Sequence, residues 1–226
     1  QNDPAKVDPV IEIVITPNRP DALGVYGIAR DLAARGLGTL KPCAVDVVEA
    51  SFASDINVSI DDDTLDGCPL FCGRLIKGVK NGPSPQWLQD RLRAIGLRPI
   101  SFLVDVTNFF TYDLNRPLHV FDADKVAGNL RVHRAAGGET ITALDDKDYT
   151  LQAGQMVISD DNGVESIAGI MGGAASGCTD ETVNVFVESA YWDTVQIAYA
   201  GRALKINSDA RYRFERGVDP AFTLEG

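Results

Sequence analysis

Three short stretches of the chain carry side chains suited to chemistry. His119 lies in Asn115-Arg-Pro-Leu-His-Val-Phe-Asp122, about a dozen residues after the pair Thr107-Asn108. Imidazole is the side chain best suited to moving a proton near neutral pH, and Pro117 fixes the approach of the backbone to it. A histidine between apolar neighbours also fits an ordinary core position. The stretch Ala168-Gly-Ile-Met-Gly-Gly-Ala-Ala-Ser-Gly177 places four glycines in nine positions. Backbone N–H groups in such a loop can approach a phosphate, a ribose or a developing oxyanion, with Gly169 at the head of the run. A tight β-turn with a close backbone crossing reads equally well. Glu188 ends the run Val183-Asn-Val-Phe-Val-Glu188, where strand alternation puts Phe186 and Glu188 on one face. That is either a carboxylate beside an aromatic surface or an exposed strand-end glutamate.

Other chemistries lack their residues. No Gly-x-Ser-x-Gly elbow marks a serine nucleophile, and the glycine run lacks the lysine of a nucleoside-triphosphate loop. Cys43, Cys68, Cys72 and Cys178 are irregularly spaced, and only Cys68-x3-Cys72 hints at metal, with neither His119 nor His133 at finger spacing. Free, reduced thiols and no metal are expected, which suits a reducing cytoplasm.

The net charge is −11 and the pI about 4.6, which argues against a simple electrostatic nucleic-acid binder. One local exception runs through residues 196–217. There Arg202, Lys205, Arg211, Arg213 and Arg216 outnumber Asp209 and Glu215. These five cations can meet RNA phosphates or the neighbouring acids. With 45% hydrophobic and 23% charged residues the composition is that of a globular protein. No apolar stretch approaches the roughly 18 residues of a membrane-spanning helix. The chain begins at Gln1, so a processed or excised segment of a longer polypeptide is expected.

The elements that position these residues are legible in part. Val10–Thr16 reads as a strand stopped by Pro17-Asn-Arg-Pro20, followed by a helix capped by Asp21, faced by Val25, Ile28, Ala29 and Leu32, and stopped by Gly36. Leu70–Val79 suits a strand. Ser84 and Pro85 announce a helix with Leu88, Leu92 and Ile95 inward, ending at Gly96. The run Val104–Leu114 fits either a helix or a strand. Leu130–Arg134, Thr140–Leu144 and Met156–Ser159, with turns at Asp145-Asp146 and Asp160–Gly163, read as antiparallel hairpins. Val183–Glu188 is a further strand, and Asp193 caps a helix to about Lys205. Clustered strands with separate helices predict an α+β architecture of layered β/β/α type with flanking helices.

Five stretches together carry a family resemblance: Ile15-Thr-Pro-Asn-Arg-Pro-Asp21, Val104-Asp-Val-Thr-Asn108, Arg116-Pro-Leu-His-Val-Phe-Asp-Ala-Asp-Lys125, Ala168-Gly-Ile-Met-Gly-Gly173 and Arg211-Tyr-Arg-Phe-Glu-Arg-Gly-Val-Asp-Pro220. In this order the chain resembles the editing module of the bacterial phenylalanyl-tRNA synthetase beta subunit. The resemblance implies that residues 1–42 are a lead-in from a preceding module and that residues 43–226 are the editing domain. The implied activity is hydrolysis of mischarged Tyr-tRNA(Phe) by water attack. Glu188 would receive the tyrosine hydroxyl, with Phe186 against the ring. His119, Thr107, Asn108 and Gly169 would serve the reaction, and Pro117 and Ala210 would line the pocket. Val120 stands where alanine is common in the family. Arg202, Lys205, Arg211, Arg213 and Arg216 are the candidate tRNA contacts. The implied partners are tRNA(Phe) and an alpha subunit in a cytoplasmic assembly of two alpha and two beta chains. ATP and Mg2+ are expected only for the complete synthetase. A non-catalytic tRNA-contacting scaffold, a free-standing trans-editing relative and a generic nucleotide-loop hydrolase are the competing readings.

Overall fold

The β-rich second half pairs into three sheets. The computed structural model describes residues 10–42 and 46–224. Its strands are β1 (Val58–Ile60), β2 (Leu70–Ile76), β3 (His119–Asp122), β4 (Leu130–Arg134), β5 (Thr140–Thr142), β6 (Asp148–Thr150), β7 (Met156–Ser159), β8 (Val164–Ile167), β9 (Met171–Gly172) and β10 (Val185–Tyr191). The helices are α1 (Val25–Ala34), α2 (Gln86–Ala94), α3 (Phe102–Leu114), α4 (Thr194–Leu204) and α5 (Asp209–Phe214). One sheet runs β1-β4-β7-β8-β9, a second runs β2-β10-β3, and β5 and β6 form a separate hairpin. The pairings among β4, β7, β8 and β9 are antiparallel, as the turn residues predict. β1 joins β4 in parallel, Val58 opposite Leu130. Parallel pairing needs a long crossover, and residues 61–129 supply it.

The two larger sheets share one core. Leu75, Phe121, Phe186 and Ala190 from the three-stranded sheet meet Val132, Ile158 and Ile167 from the five-stranded sheet, with Trp192, Ile197 and Phe214 in the same cluster. This is the expected layered α+β architecture. Gly73 makes it possible on the three-stranded side, because a Cβ there would stand 2.2 Å from Cζ of Phe186.

The ambiguous run at 104–114 is helical. Asp105, fully buried, accepts the Ser84 hydroxyl at 2.5 Å and the Ile100 N–H at 2.9 Å, which fastens the first turn of α3 to the entrance of α2. Asn115, left-handed at φ +54°, ends the helix. Leu88 and Leu92 are buried as expected, and α2 and α1 both pack on α3. Asp193 caps α4 as expected, accepting the Gln196 N–H.

Several local expectations fail. Val10–Thr16 forms no strand among the described residues, and Val10, Ile11, Ile13 and Val14 are exposed; β-branched composition makes a strand only where an edge is available to pair. Asp21 does not cap α1. It lies in a single 3-10 turn, Pro20–Ala22, and binds Arg19 and Arg30. Gly24 takes the cap position, where a Cβ would stand 2.6 Å from the backbone nitrogen of Asn115. Ser84 is spent on Asp105, so Pro85 is the residue before α2 rather than its first. Ile95 falls past the end of α2 and is exposed. Cys68, Cys72 and Cys178 are free thiols, while Cys43 lies outside the described residues.

Candidate functional site

Helix α3, strand β3, the glycine loop and α5 converge on a cavity of about 370 Å³, within the size range of small-molecule sites. Thr107, Pro117, His119, Gly169, Glu188 and Ala210 all line it. Six of the eight candidate pocket residues, drawn from stretches a hundred residues apart, thus meet at one place.

Each arrives for a local reason. The 3.6-residue period of α3 places Leu103, Val104 and Thr107 on the cavity side. The Thr107 hydroxyl donates to the Val104 carbonyl at 2.8 Å. β3 and β10 are antiparallel neighbours with His119 directly opposite Glu188, so both side chains emerge on the same face of the sheet. Gly169 is left-handed at φ +67°, and a Cβ there would stand 2.8 Å from the Trp192 ring. Glycine is therefore required by both backbone and packing. Among the described residues no acceptor takes its N–H. The Ser208 hydroxyl donates to the Ile170 carbonyl at 2.6 Å and accepts the Arg211 N–H, which ties α5, and with it Ala210, to the glycine loop.

Three polar atoms in this wall are buried without a hydrogen-bond partner: Oε2 of Glu188, Nε2 of His119 and Oδ1 of Asp145. Burial pushes the Glu188 carboxyl up to about 8, against the opposing pull of the Arg116 guanidinium. Burial lowers the His119 imidazole to about 4, although part of the ring opens on the cavity. The ring packs edge-on against Phe121, with centroids 4.3 Å apart. Its Cε1 edge rests over Gly172, where a Cβ would come within 2.1 Å. At neutral pH this imidazole is uncharged, and so offers one donor and one acceptor nitrogen rather than a cation. Buried polar groups without partners are costly, so their concentration in one cavity marks a place built for a polar ligand.

The cavity is not the roomiest in the protein. Another, of about 510 Å³, lies beside Arg134. There Arg134 donates to Asp66, Gln196 and the Gly154 carbonyl, so its charge is already matched internally.

Two candidates lie elsewhere. Phe186 is buried in the shared core over Gly73 and does not line the cavity; the face it shares with Glu188 is the core face, and the cavity reaches only the Glu188 end. Asn108 sits one residue beyond Thr107 on α3, about 100° round the helix, and does not line the cavity either. The cationic patch also divides. Arg211 and Arg213 are buried, Arg211 paired with Glu215 at 3.0 Å and Arg213 with Asp209 at 3.1 Å. Arg216 stacks on Tyr212 and meets Glu215. Arg202 and Lys205 are exposed. The reading of all five as tRNA contacts fails for Arg211 and Arg213, because helical i,i+4 spacing hands them to intramolecular acids.

Sequence reasoning assigned no role to several other wall residues, among them Asp145, Ser166, Gly172, Cys178 and Phe214. Gly172 had a signal in the glycine run; Asp145 and Cys178 had none, since both come from turns whose placement depends on the sheets. No group of three or more metal-type donors forms among the described residues, and none of the described helices is long and apolar enough to cross a membrane.

A family model described as the B3/4 domain matches residues 67–226. Phenylalanine–tRNA ligase beta subunits match nearly the whole chain: that of Ruegeria pomeroyi is 80% identical over 226 residues, 100% of this chain and 28% of the relative. That of Cereibacter sphaeroides is 67% identical over 97% of this chain and 27% of the relative. A solved N-terminal fragment of the phenylalanyl-tRNA synthetase beta subunit from Pyrococcus horikoshii aligns with TM-score 0.49 at 19% identity, covering 84% of this chain and 58% of that one. The chain spans about a quarter of the length of the curated relatives it matches. It is similar to a segment of phenylalanine–tRNA ligase beta subunits and belongs to the B3/4 domain family.

Proposed function

We propose that this cavity hydrolyses the ester of Tyr-tRNA(Phe), removing tyrosine attached in error by a phenylalanine–tRNA ligase. The observation that carries the reading is the buried, unpartnered Glu188 carboxyl facing the cavity directly across from His119. A site of this kind discriminates well. A pocket shaped for phenylalanine rejects an added hydroxyl poorly, whereas a pocket that must satisfy a buried polar group rejects the ligand that lacks one by roughly 10⁴–10⁵-fold at best.

In this reading Glu188 accepts the phenol hydroxyl. Water attacks the ester carbonyl, and the free Gly169 N–H is the candidate donor to the oxyanion. His119, neutral in this environment, orients or deprotonates the water, or holds the substrate amine or terminal ribose. A hydroxyl of the terminal adenosine assists the proton transfer. Thr107, Pro117 and Ala210 shape the walls. No covalent intermediate is proposed, because no activated nucleophile lines the cavity; the Cys178 thiol is pushed up to about 11 by burial and is not ionised at neutral pH. The reaction as written uses no metal or cofactor, with ATP and Mg2+ belonging to the complete synthetase.

The wider setting is proposed with it: residues 1–42 as lead-in, residues 43–226 as the editing domain, an alpha subunit partner in a cytoplasmic assembly of two alpha and two beta chains, and tRNA(Phe) as the carrier of substrate. The test is Glu188→Ala and His119→Ala in the full-length subunit assembled with its partner. Each should lower the rate of Tyr-tRNA(Phe) deacylation by at least tenfold. Unchanged rates in both would remove the assignment.

A further inference from the structure

Arg116 stands in the motif beside His119, yet it does not line the cavity. Its side chain is 1% exposed, among the most completely buried large side chains of the described residues. The guanidinium donates to the Ala190 carbonyl, two residues past Glu188 on β10, and to the Thr223 hydroxyl at 3.3 Å. Thr223 is tied to the same strand, because its carbonyl accepts the Ser189 hydroxyl at 2.7 Å. The guanidinium also lies 5.6 Å from the ring centroid of Phe214, which lines the cavity. Its Nε has no acceptor. A cation is therefore held behind the cavity wall by neutral partners, with no carboxylate bonded to it. A buried charge left in that condition is costly unless an anion lies near.

The carboxyl on the strand it holds is that of Glu188, two residues before Ala190. Among the described residues Arg116 is the one cation acting on the Glu188 carboxyl, and Glu188 is the first of the groups favouring the charge of Arg116. The other titratable groups around Glu188 do not replace it. His119 on β3 is neutral, and the Cys68 thiol is pushed up to about 12. Cys72 on β2 bears on Arg116, and Asp145 on the far wall can only oppose ionisation of Glu188.

We propose that Arg116 is the positioning residue that sets selectivity in this site: without touching substrate, its caged guanidinium favours the carboxylate form of Glu188, the acceptor that distinguishes a phenol from a phenyl ring. This rests on the hydrolytic reading of the cavity. Glu188 is thereby poised, and binding of a tyrosyl ester selects the carboxylate form. Loss of Arg116 moves ionisation of Glu188 to higher pH and removes the advantage of the tyrosyl over the phenylalanyl ester.

The experiment is the pH profile of kcat/KM between pH 6.5 and 8.5 for Tyr-tRNA(Phe) and Phe-tRNA(Phe). It uses the full-length subunit assembled with its partner, as wild type, Arg116→Gln, Arg116→Lys, Glu188→Gln and the Arg116→Gln/Glu188→Gln double variant. Arg116→Gln should shift the rising limb for the tyrosyl ester upward by at least one pH unit, a loss of roughly tenfold in kcat/KM at neutral pH. The phenylalanyl profile should stay in place, and Arg116→Lys should restore most of the tyrosyl rate. In the Glu188→Gln background, Arg116→Gln should add no further loss. Additive losses, or an unshifted profile in Arg116→Gln, overturn the proposal. If Arg116→Gln does not fold, the double variant decides. Recovery of a cooperative unfolding transition when both charges are removed supports the pairing, and failure to recover it makes Arg116 a packing residue. Wild-type deacylation by Glu188→Gln would instead fail the hydrolytic reading itself.

Discussion

Glu188 and His119 face each other across two strands, and their burial acts in opposite directions on proton binding. Glu188 has its carboxyl raised to about 8 in the folded protein. Its contribution to stability is complete below the unfolded value near 4.3 and is lost as pH rises through 8. His119 is lowered to about 4. Its contribution is complete above the unfolded value of about 6.5 and is lost as pH falls through 4. The two together favour the folded state most between pH ~4.5 and ~6.5. Glu188→Gln should therefore gain stability relative to wild type as pH rises from 5 to 9, read as the difference in thermal unfolding midpoint. A difference independent of pH would show that the carboxyl is not held in an apolar wall.

Among the elements, α5 brings Ala210 and Phe214 to the cavity and α4 packs against α5, each helix starting at a side-chain cap. Asp193 accepts the Gln196 N–H at 2.9 Å and starts α4, and Ser208 starts α5 while holding the glycine loop. Asp193→Ala should cost about 1 kcal/mol, the usual worth of an N-cap, read as a lower urea midpoint at unchanged slope. The change lies outside the cavity wall, so deacylation at 25 °C should be little affected. A larger stability loss would show that losing the cap also displaces the backbone N–H of residue 193 from the Gly67 carbonyl, which it meets at 2.8 Å. Helix α3 was the least legible element. Its run of Val, Phe, Thr and Tyr suits either period, and the deciding group is Asp105, which needs Ser84 and Ile100 from another segment.

For the whole molecule, net charge and candidate substrate pull against each other. A charge of −11 repels polyphosphate, yet a cavity that takes one esterified nucleotide end needs no basic groove. With Arg211 and Arg213 buried in ion pairs, Arg202 and Lys205 are the exposed pair of the five. Uncharged tRNA should therefore bind this 226-residue chain weakly at physiological salt. Replacing both exposed cations with glutamine should reduce the slope of log affinity against log salt by at most two, since each phosphate contact contributes roughly −0.9. A steeper change, or tight binding by the chain alone, would place the tRNA surface elsewhere on the molecule.

By itself the sequence determined the strand-rich second half, the turns at Asp145-Asp146 and Asp160–Gly163, the cap at Asp193, and the shared face of Phe186 and Glu188. These follow from period and turn chemistry, which act over a few residues. It also named six residues of the cavity wall, because the family resemblance carries His119, Glu188, Gly169, Pro117, Thr107 and Ala210 as identities. The tertiary structure decided what those identities face. Phe186 and Glu188 share a side of β10, but only Glu188 reaches the cavity, since Gly73 draws Phe186 into the core. The cations of residues 211–213 were visible as charge and became internal pairs only once α5 formed. Val10–Thr16 had a strand's composition without a described edge to pair with. The guanidinium of Arg116 is held by the carbonyl of Ala190, 74 residues away in the sequence. Burial and long-range electrostatics depend on contacts between distant segments, and no local pattern encodes them.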